Sequence, residues 1–270
     1  MRQARRSAAR ALSLYPGAFM TRVLLSGICG RMGGMVARAV VDDGRVTLAG
    51  GVEMPGHEEV GRRLCDIWGS GTVELRVRGS LDEFDDGEFD VIVDYSTPAQ
   101  AVACADRAAR SRKGLLIGTT GLTEYEVAAV EKASVSCPIV VAPNTSLGVS
   151  LLFGLARRVA GILDEEFDVE IVESHHRGKK DAPSGTASRL LDIVAEARGR
   201  SSPDAAAFGR RGFPLERAQG EIGVHSLRAG GVVGRHAVHF VSPVEEVRIS
   251  HEAFSREAFA RGAVTAALFL

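Results

Sequence analysis

The stretch ESHHRGKKDAPSGTA, residues 173–187, sets two adjacent histidines, His175 and His176, beside Arg177, Lys179 and Lys180, just before a Pro-Ser-Gly-Thr turn that opens an apolar run. Three permanent cations this close repel one another, which water or an opposing anion such as a dicarboxylate relieves. Ser184 has the side chain of a helix N-cap, so the backbone N–H groups of Gly185 and Thr186, with the Thr186 hydroxyl, are placed to meet a carboxylate oxygen. A histidine that titrates near neutrality beside them can donate or relay a proton. The competing reading is a solvated basic loop ahead of an ordinary capped helix. In an extended segment His175, Arg177 and Lys179 share one side and His176 and Lys180 the other, unless a loop breaks the alternation. No metal is expected, because adjacent histidines diverge and Asp181 is the only acid read as close to them.

A second constellation lies near the start. GICGRMGG holds Gly27, Gly30 and Gly33 between an apolar run and a helical pattern. Such a turn brings backbone N–H groups and a helix N-terminus up to a pyrophosphate, whose charge the helix dipole stabilises. Glu53, 26 residues after Gly27 and at the end of the next strand, can accept hydrogen bonds from an adenosine ribose. The alternative is a structural turn with a solvated surface acid. Residue 54 bears on the coenzyme: an arginine there could fork onto the 2′-phosphate of NADPH, whereas Met54 has no donor. That favours NADH, although Arg31 can still reach a phosphate from the loop.

Elements must hold these residues. Runs at 46–53, 73–79, 89–96, 114–121 and 138–144 read as strands, and helical spacing follows the glycine turn and recurs at 98–112 and 123–134. Alternation of this kind predicts a parallel sheet covered by helices, with ligands beyond the carboxyl ends of its strands. After 144 the pattern changes to a long apolar helix (147–163), an alternating strand (168–174), a helix (185–198), a polar loop (199–219) and strands of an antiparallel sheet. This predicts a second domain. The last helix, SREAFARGAVTAALFL, is apolar enough at its end to need a lobe to pack on.

With 270 residues and 45% hydrophobic composition the chain can bury a core in two lobes. Its 33 Lys plus Arg nearly balance 34 Asp plus Glu, so no general field exists to attract nucleic acid or an anionic membrane. No apolar run reaches the ~20 residues of a membrane span. Cys29, Cys65, Cys104 and Cys137 are far apart without a CxxC pair, which points to a reducing cytosol and against zinc or a disulfide framework. Residues 1–19 hold four arginines and no acid. They read as an extension upstream of a start at Met20, or as a transit peptide for organellar import.

GICGRMGG, DYSTPA (94–99), GTTG (118–121), APNTSLGV (142–149), the 173–187 segment, EIG…LRAGGVVGRH (221–236) and SHEAFSREAFARGAVTAA (250–267) together resemble, in order, the motifs of the 4-hydroxy-tetrahydrodipicolinate reductase family of bacterial and plant lysine synthesis. The resemblance implies an α/β fold: a Rossmann-type doubly wound parallel sheet completed by the C-terminal helix, with an inserted α+β domain, built on a four-stranded sheet, for substrate and oligomerisation. It implies a dinucleotide-binding domain at 20–144 and 243–270, a substrate-binding and tetramerisation domain at 145–242, hinges near 144–147 and 241–244, and a homotetramer. It assigns Gly27, Ile28, Cys29, Gly30, Arg31, Met32 and Glu53 to the dinucleotide, and Gly118, Thr119, Thr120, Ala142, Pro143, Asn144 and Thr145 to its nicotinamide end. His175 becomes the catalytic acid/base, Lys179 the proton donor, and His176, Gly185 and Thr186 binders of a cyclic dicarboxylate. Three positions depart from the family pattern: Thr145, where the family often has a bulkier side chain, and Gly231 and Arg235, where it has acids.

Two other functions compete. A nicotinamide-dependent dehydrogenase of another amino acid or imine would share the layout and turn over an open-chain substrate. A non-catalytic dinucleotide-binding regulator would be expected to lack His175 or Lys179, and both are present.

Overall fold

Short apolar runs alternating with helical stretches build the first part of the chain into β1 (Thr21–Ser26), α1 (Arg31–Asp42), β2 (Val46–Val52), α2 (Leu64–Trp68), β3 (Val77–Arg78), β4 (Val91–Asp94), α3 (Pro98–Ser111), β5 (Gly114–Ile117), α4 (Glu124–Ser134) and β6 (Ile139–Val141). The structure, a computed structural model, describes residues 20–69, 71–212 and 216–270, and the expected extension at 1–19 lies outside them. The six strands pair in the order β3-β2-β1-β4-β5-β6, all parallel.

Successive strand residues face opposite sides, so each strand feeds two cores. Val23 and Leu25 of β1 and Val91 and Val93 of β4 pack with Val36, Ala37 and Val40 of α1. Leu24, Ile92, Leu115 and Ile117 pack on the other side with Ala101, Cys104 and Ala105 of α3 and Val130 of α4. Burial on both faces explains why these strands read as continuous apolar runs. The strand expected at 73–79 shrinks to Val77–Arg78, because the residues before it bond elsewhere: Leu64 N–H donates to Leu75 O at 2.9 Å and Cys65 N–H to Val73 O at 3.0 Å.

The rest of the chain forms α5 (Leu147–Ala160), β7 (Asp168–His175), α6 (Gly185–Ala197), α7 (Ser202–Ala205), β8 (Ala206–Phe208), β9 (Ile222–Arg228), β10 (Gly234–Val241), β11 (Glu246–Ala253) and α8 (Glu257–Phe269). The second sheet has five strands in the order β11-β10-β7-β9-β8. The fifth is β8, within the stretch read as a polar loop. The sheet is mixed and not purely antiparallel: β10 runs against β7 and β11, but β7, β9 and β8 are parallel. α6 lies between β7 and β9 in the chain, the kind of crossover that returns a chain in the same direction.

The chain divides into two compact units, one running through Thr145 and resuming at Phe259–Leu270, the other Ser146–Ala258. The boundary expected at 242/243 therefore moves to 258/259. The reason is β11, which pairs with β10 from Glu246 to Ala253 and belongs to the second sheet. Residues Ala260, Ala263, Val264 and Ala267 of α8 pack into the core of the first unit with α1. No helix among the described residues is long and apolar enough to cross a membrane.

Candidate functional site

One face of the five-stranded sheet changes character along its strands. Reading across β9, β7, β10 and β11, the register aligns Ile222, Val169, Phe240 and Val247 in one row and Val224, Ile171, Val238 and Ile249 in the next. These side chains form the core of the unit with Leu152 and Ala156 of α5 and Leu190 and Val194 of α6. The following row is Ser226, Glu173, His236 and His251, and beyond it Arg228 stands beside His175. Periodicity thus carries titratable groups into positions that the same strands use for core residues. Unpaired, such groups are costly there.

Glu173 is fully buried. It is also paired on every side: Arg228 donates to both oxygens at 2.7 and 2.9 Å, Ser184 N–H donates at 3.1 Å, and His175 Nδ1–H donates at 2.5 Å. Burial pushes its carboxyl up, but Arg228, His175, Ser226 and the Ser184 amide outweigh that and hold it at about 2. His175 sits edge-to-face on His236, ring centroids 5.1 Å apart. Burial draws the His175 ring below the usual histidine value, opposed by Glu173 and reinforced by Lys179 and Arg228. Burial, with the neighbouring His175, takes His236 down to about 4. His236 Nε2 lies 3.2 Å from Ser184 Oγ, while its Nδ1 is buried without a partner.

β7 ends at His175, and the chain turns at 177–178, where Lys179 N–H donates to His176 O at 3.1 Å. The alternation of an extended segment stops there. Lys179 Nζ pairs with Asp181 at 2.8 Å, whereas Arg177 and Lys180 are exposed and His176 is half-buried. Ser184 caps α6 as expected: it has extended backbone, and its Oγ accepts from Ala187 N–H at 3.3 Å. The cap takes the third amide of the helix, that of Ala187. His175, Lys179, His176 and the start of α6 therefore gather at one end of the second unit.

The remaining predicted residues all lie at the carboxyl ends of the first sheet's strands: 27–30 on the loop after β1 with Arg31 and Met32 opening α1, Glu53 after β2, 118–120 after β5 and 142–145 after β6. Gly27 has φ +77°, and a Cβ on Gly33 would fall 1.9 Å from Gly27 O, so both positions demand glycine. The loop's own amides are taken. Gly27 and Ile28 N–H donate to Val52 O, Cys29 N–H to Glu53 Oε1 at 2.8 Å and Gly30 N–H to Gly27 O. Ile28 and Met32 turn into the core, so their side chains anchor the loop. Past the loop the first turn of α1 begins at Arg31 and Met32, and its N-cap Gly30 provides no side-chain cap. Gly27, Gly30, Glu53, Met54, Tyr95 and Thr97 line the cleft above them. An uncapped helix start facing a glycine turn, with a carboxylate on the rim, fits a pyrophosphate and ribose.

Beside that cleft Thr119 is buried and its hydroxyl donates to Asp94 Oδ2 at 2.5 Å while accepting from Ser96 N–H at 2.8 Å. Gly118 N–H donates to Asp94 O and Ala142 N–H to Ile117 O. Thr120 and Pro143 are exposed and Asn144 is half-buried. Thr145 is buried: its hydroxyl donates to Phe259 O at 2.7 Å and accepts from Tyr95 OH at 2.8 Å. Thr119 and Thr145 thus use their hydroxyls inside the protein. These bonds fix the loops that carry them.

A family model described as dihydrodipicolinate reductase, N-terminus, matches residues 21–145, and one described as dihydrodipicolinate reductase, C-terminus, matches residues 148–270. The chain belongs to the dihydrodipicolinate reductase family. It is 46% identical over 250 residues to the 4-hydroxy-tetrahydrodipicolinate reductase of Rubrobacter xylanophilus, covering 93% of each chain. It is 42% identical over 248 residues to that of Ruegeria pomeroyi, covering 92% of this chain and 91% of the relative. A solved dipicolinate-bound dihydrodipicolinate reductase from Paenisporosarcina sp. TG-14 superposes with a TM-score of 0.74 at 25% identity, over 93% of this chain and 94% of that one.

Within this dihydrodipicolinate reductase family member, reasoning from sequence passed over Glu173, Arg228, His236 and Tyr95, which the structure sets against predicted site residues. Glu173 and His236 stand on the buried alternation of their strands, where a polar residue in an apolar register was the available signal. Arg228 had none, since its partner lies 55 positions away. Of the departures from the family pattern, Arg235 pairs with Glu252 across β10 and β11 at 2.6 Å. Gly231 has open space where a side chain would stand.

Proposed function

We propose that the chain reduces 4-hydroxy-tetrahydrodipicolinate to tetrahydrodipicolinate and water, in the diaminopimelate route to lysine, with a reduced nicotinamide dinucleotide. The observation that carries the reading is the group His175, Lys179 and the capped start of α6, with His175 held by buried Glu173. The family match and the relatives named for this reaction support it, as does the dicarboxylate bound to the structural relative.

In this reading the amides of Arg31 and Met32 and the α1 N-terminus bind the pyrophosphate, and Glu53 accepts from the adenosine ribose. The loops at 118–120 and 142–145 shape the nicotinamide end. When bound, the nicotinamide supplies hydride to ring carbon 4 of the substrate after its hydroxyl has left as water. The start of α6, His176 and Lys179 bind a substrate carboxylate. Lys179 trades Asp181 for that carboxylate, and with His175 it supplies the proton and stabilises charge building at the ring-nitrogen side. Overall, one hydride and one proton are taken up and one water is released.

Met54, without a donor, favours NADH over NADPH. The open face of the second sheet, with Arg235, His239, Arg248 and Glu252 around a cavity, is where further copies would assemble the homotetramer. The balanced charge and unpaired cysteines suit a cytoplasmic protein.

The test is loss of reduced-nicotinamide absorbance when purified protein meets substrate generated in place from pyruvate and aspartate semialdehyde by the preceding synthase. Rapid oxidation of NADH or NADPH is expected. Folded protein that binds NADH yet oxidises neither coenzyme would overturn the substrate.

A further inference from the structure

A histidine that serves as acid or base must present one particular ring nitrogen, and a ring on a strand end can flip unless something holds it. Here Glu173, two residues earlier on β7 and fully buried, takes Nδ1–H of His175 at 2.5 Å. Nothing about Glu173 is free to move. Arg228 forks onto both its oxygens, and Arg228 itself is tied back by donating to Asp181 O at 2.5 Å. Ser184 N–H fixes the same carboxylate to the start of α6. His175 Nε2 takes no partner among the described residues and faces the backbone of Gly234, where an added Cβ would lie 3.2 Å away.

We propose that Glu173, clamped by Arg228, is a positioning residue for the reaction: it pins the proton on His175 Nδ1 so that Nε2 is the nitrogen offered to the substrate. This rests on the reductase reading above. The groups facing the His175 ring are Glu173 from β7, Arg228 from β9, His236 from β10 and Lys179 with Asp181 from the loop, with His251 of β11 one place beyond His236. An isolated buried carboxylate would draw a proton onto the ring, and Arg228 offsets that pull. The clamp therefore fixes the orientation of His175 without forcing it to remain an imidazolium.

Two variants separate this from a merely structural ion pair. Glu173→Gln keeps the size but removes the charge, so His175 loses its fixed tautomer and the limb of the kcat–pH profile that reports it moves to lower pH. Arg228→Met leaves the carboxylate uncompensated, and the same limb moves to higher pH. In Glu173→Gln kcat should fall by roughly 100-fold, within the range general acid–base catalysis supplies, with the dicarboxylate KM changed far less. Nitrogen-15 NMR of the histidine rings, assigned with His175→Asn, should show Nδ1–H at residue 175 in the wild type and a mixed or inverted tautomer in Glu173→Gln. Wild-type kcat with Nδ1–H retained in Glu173→Gln, or limbs that shift the same way in both variants, would overturn the proposal. The NMR reading needs no turnover, so it decides the matter even if the substrate assignment fails. Should Glu173→Gln not fold, Glu173→Asp, which withdraws the carboxylate by one methylene, is expected to show the same tautomer change, and an unchanged tautomer there counts against the proposal.

Discussion

The backbone N–H of Cys29 donates to Oε1 of Glu53 at 2.8 Å, which ties the glycine turn after β1 to the acid after β2. One carboxylate oxygen thus shapes the loop, and the other is the one the proposed function gives to a ribose hydroxyl. The two duties can be separated. Glu53→Gln keeps an oxygen for Cys29 and replaces the second acceptor by a donor, so its Tm should stay near that of the wild type. Loss of a hydrogen bond to a charged group should weaken NADH binding by roughly tenfold or more, read by NADH fluorescence titration. Glu53→Ala removes both contacts and should lower Tm as well. Equal Tm in the two variants would mean that the Cys29 contact does not hold the loop.

Met54 is 59% exposed beside Glu53 on the rim of the cleft. A longer side chain has room there. Met54→Arg supplies the planar fork that suits a 2′-phosphate, and the ratio of kcat/KM for NADPH to that for NADH should rise about tenfold or more. Parallel initial-rate series with the two coenzymes measure it. An unchanged ratio would place coenzyme choice elsewhere, with Arg31 at the start of α1 the next residue to change.

Lys179 is only 22% exposed along its side chain and its ammonium already rests on Asp181 at 2.8 Å. Asp181 is more exposed, and Lys179 pulls its carboxyl below the usual value. A substrate carboxylate can replace that surface partner at small cost, since exposed ion pairs contribute little. Lys179→Ala should therefore leave Tm almost unchanged while kcat drops by roughly 100-fold or more. Turnover like the wild type in folded Lys179→Ala would remove it from the mechanism.

Patterns local in sequence carried over to the structure. The glycine turn, the Ser184 cap and the apolar strands at 23–25, 91–93 and 115–117 are fixed by neighbours a few residues away, and each stands where expected. Pairings between distant residues did not carry over. β8 is too short and polar in context to stand out, and it becomes a strand only because β9 offers a free edge. The first-sheet boundary failed for a similar reason: nothing in 246–253 itself says whether its partner is β10 or a strand of the other sheet. Glu173 opens the basic segment, yet its surroundings depend on Arg228 and Ser184 arriving from other elements. The resemblance assigns Thr119 and Thr145 to the nicotinamide end, and nothing local in sequence says that their hydroxyls point inward.

His236 gives the second unit a pH dependence of predictable sign. It is buried, and burial together with His175 lowers it to about 4 from an ordinary value near 6.5. Above pH 6.5 neither the folded nor the unfolded chain holds the proton. Between about 6.5 and 4 the unfolded chain takes it up and the folded one does not, so stability falls on acidification, by on the order of 3 kcal/mol across the window. Glu173 adds a second loss at lower pH: held at about 2, its carboxylate stabilises the fold above its unfolded value near 4.5, and that contribution disappears as pH drops through the window between. Urea unfolding followed by far-UV circular dichroism at pH 7, 5.5 and 4.5 should show the first loss. The single tryptophan, Trp68, lies in the first unit, so its fluorescence offers an internal comparison that His236 does not touch directly. His236→Gln keeps a polar partner for Ser184 Oγ but cannot titrate, and it should flatten the slope between pH 6.5 and 4.5. A slope identical in the wild type and His236→Gln would assign the acid sensitivity to other groups, His251 first, since burial also lowers it.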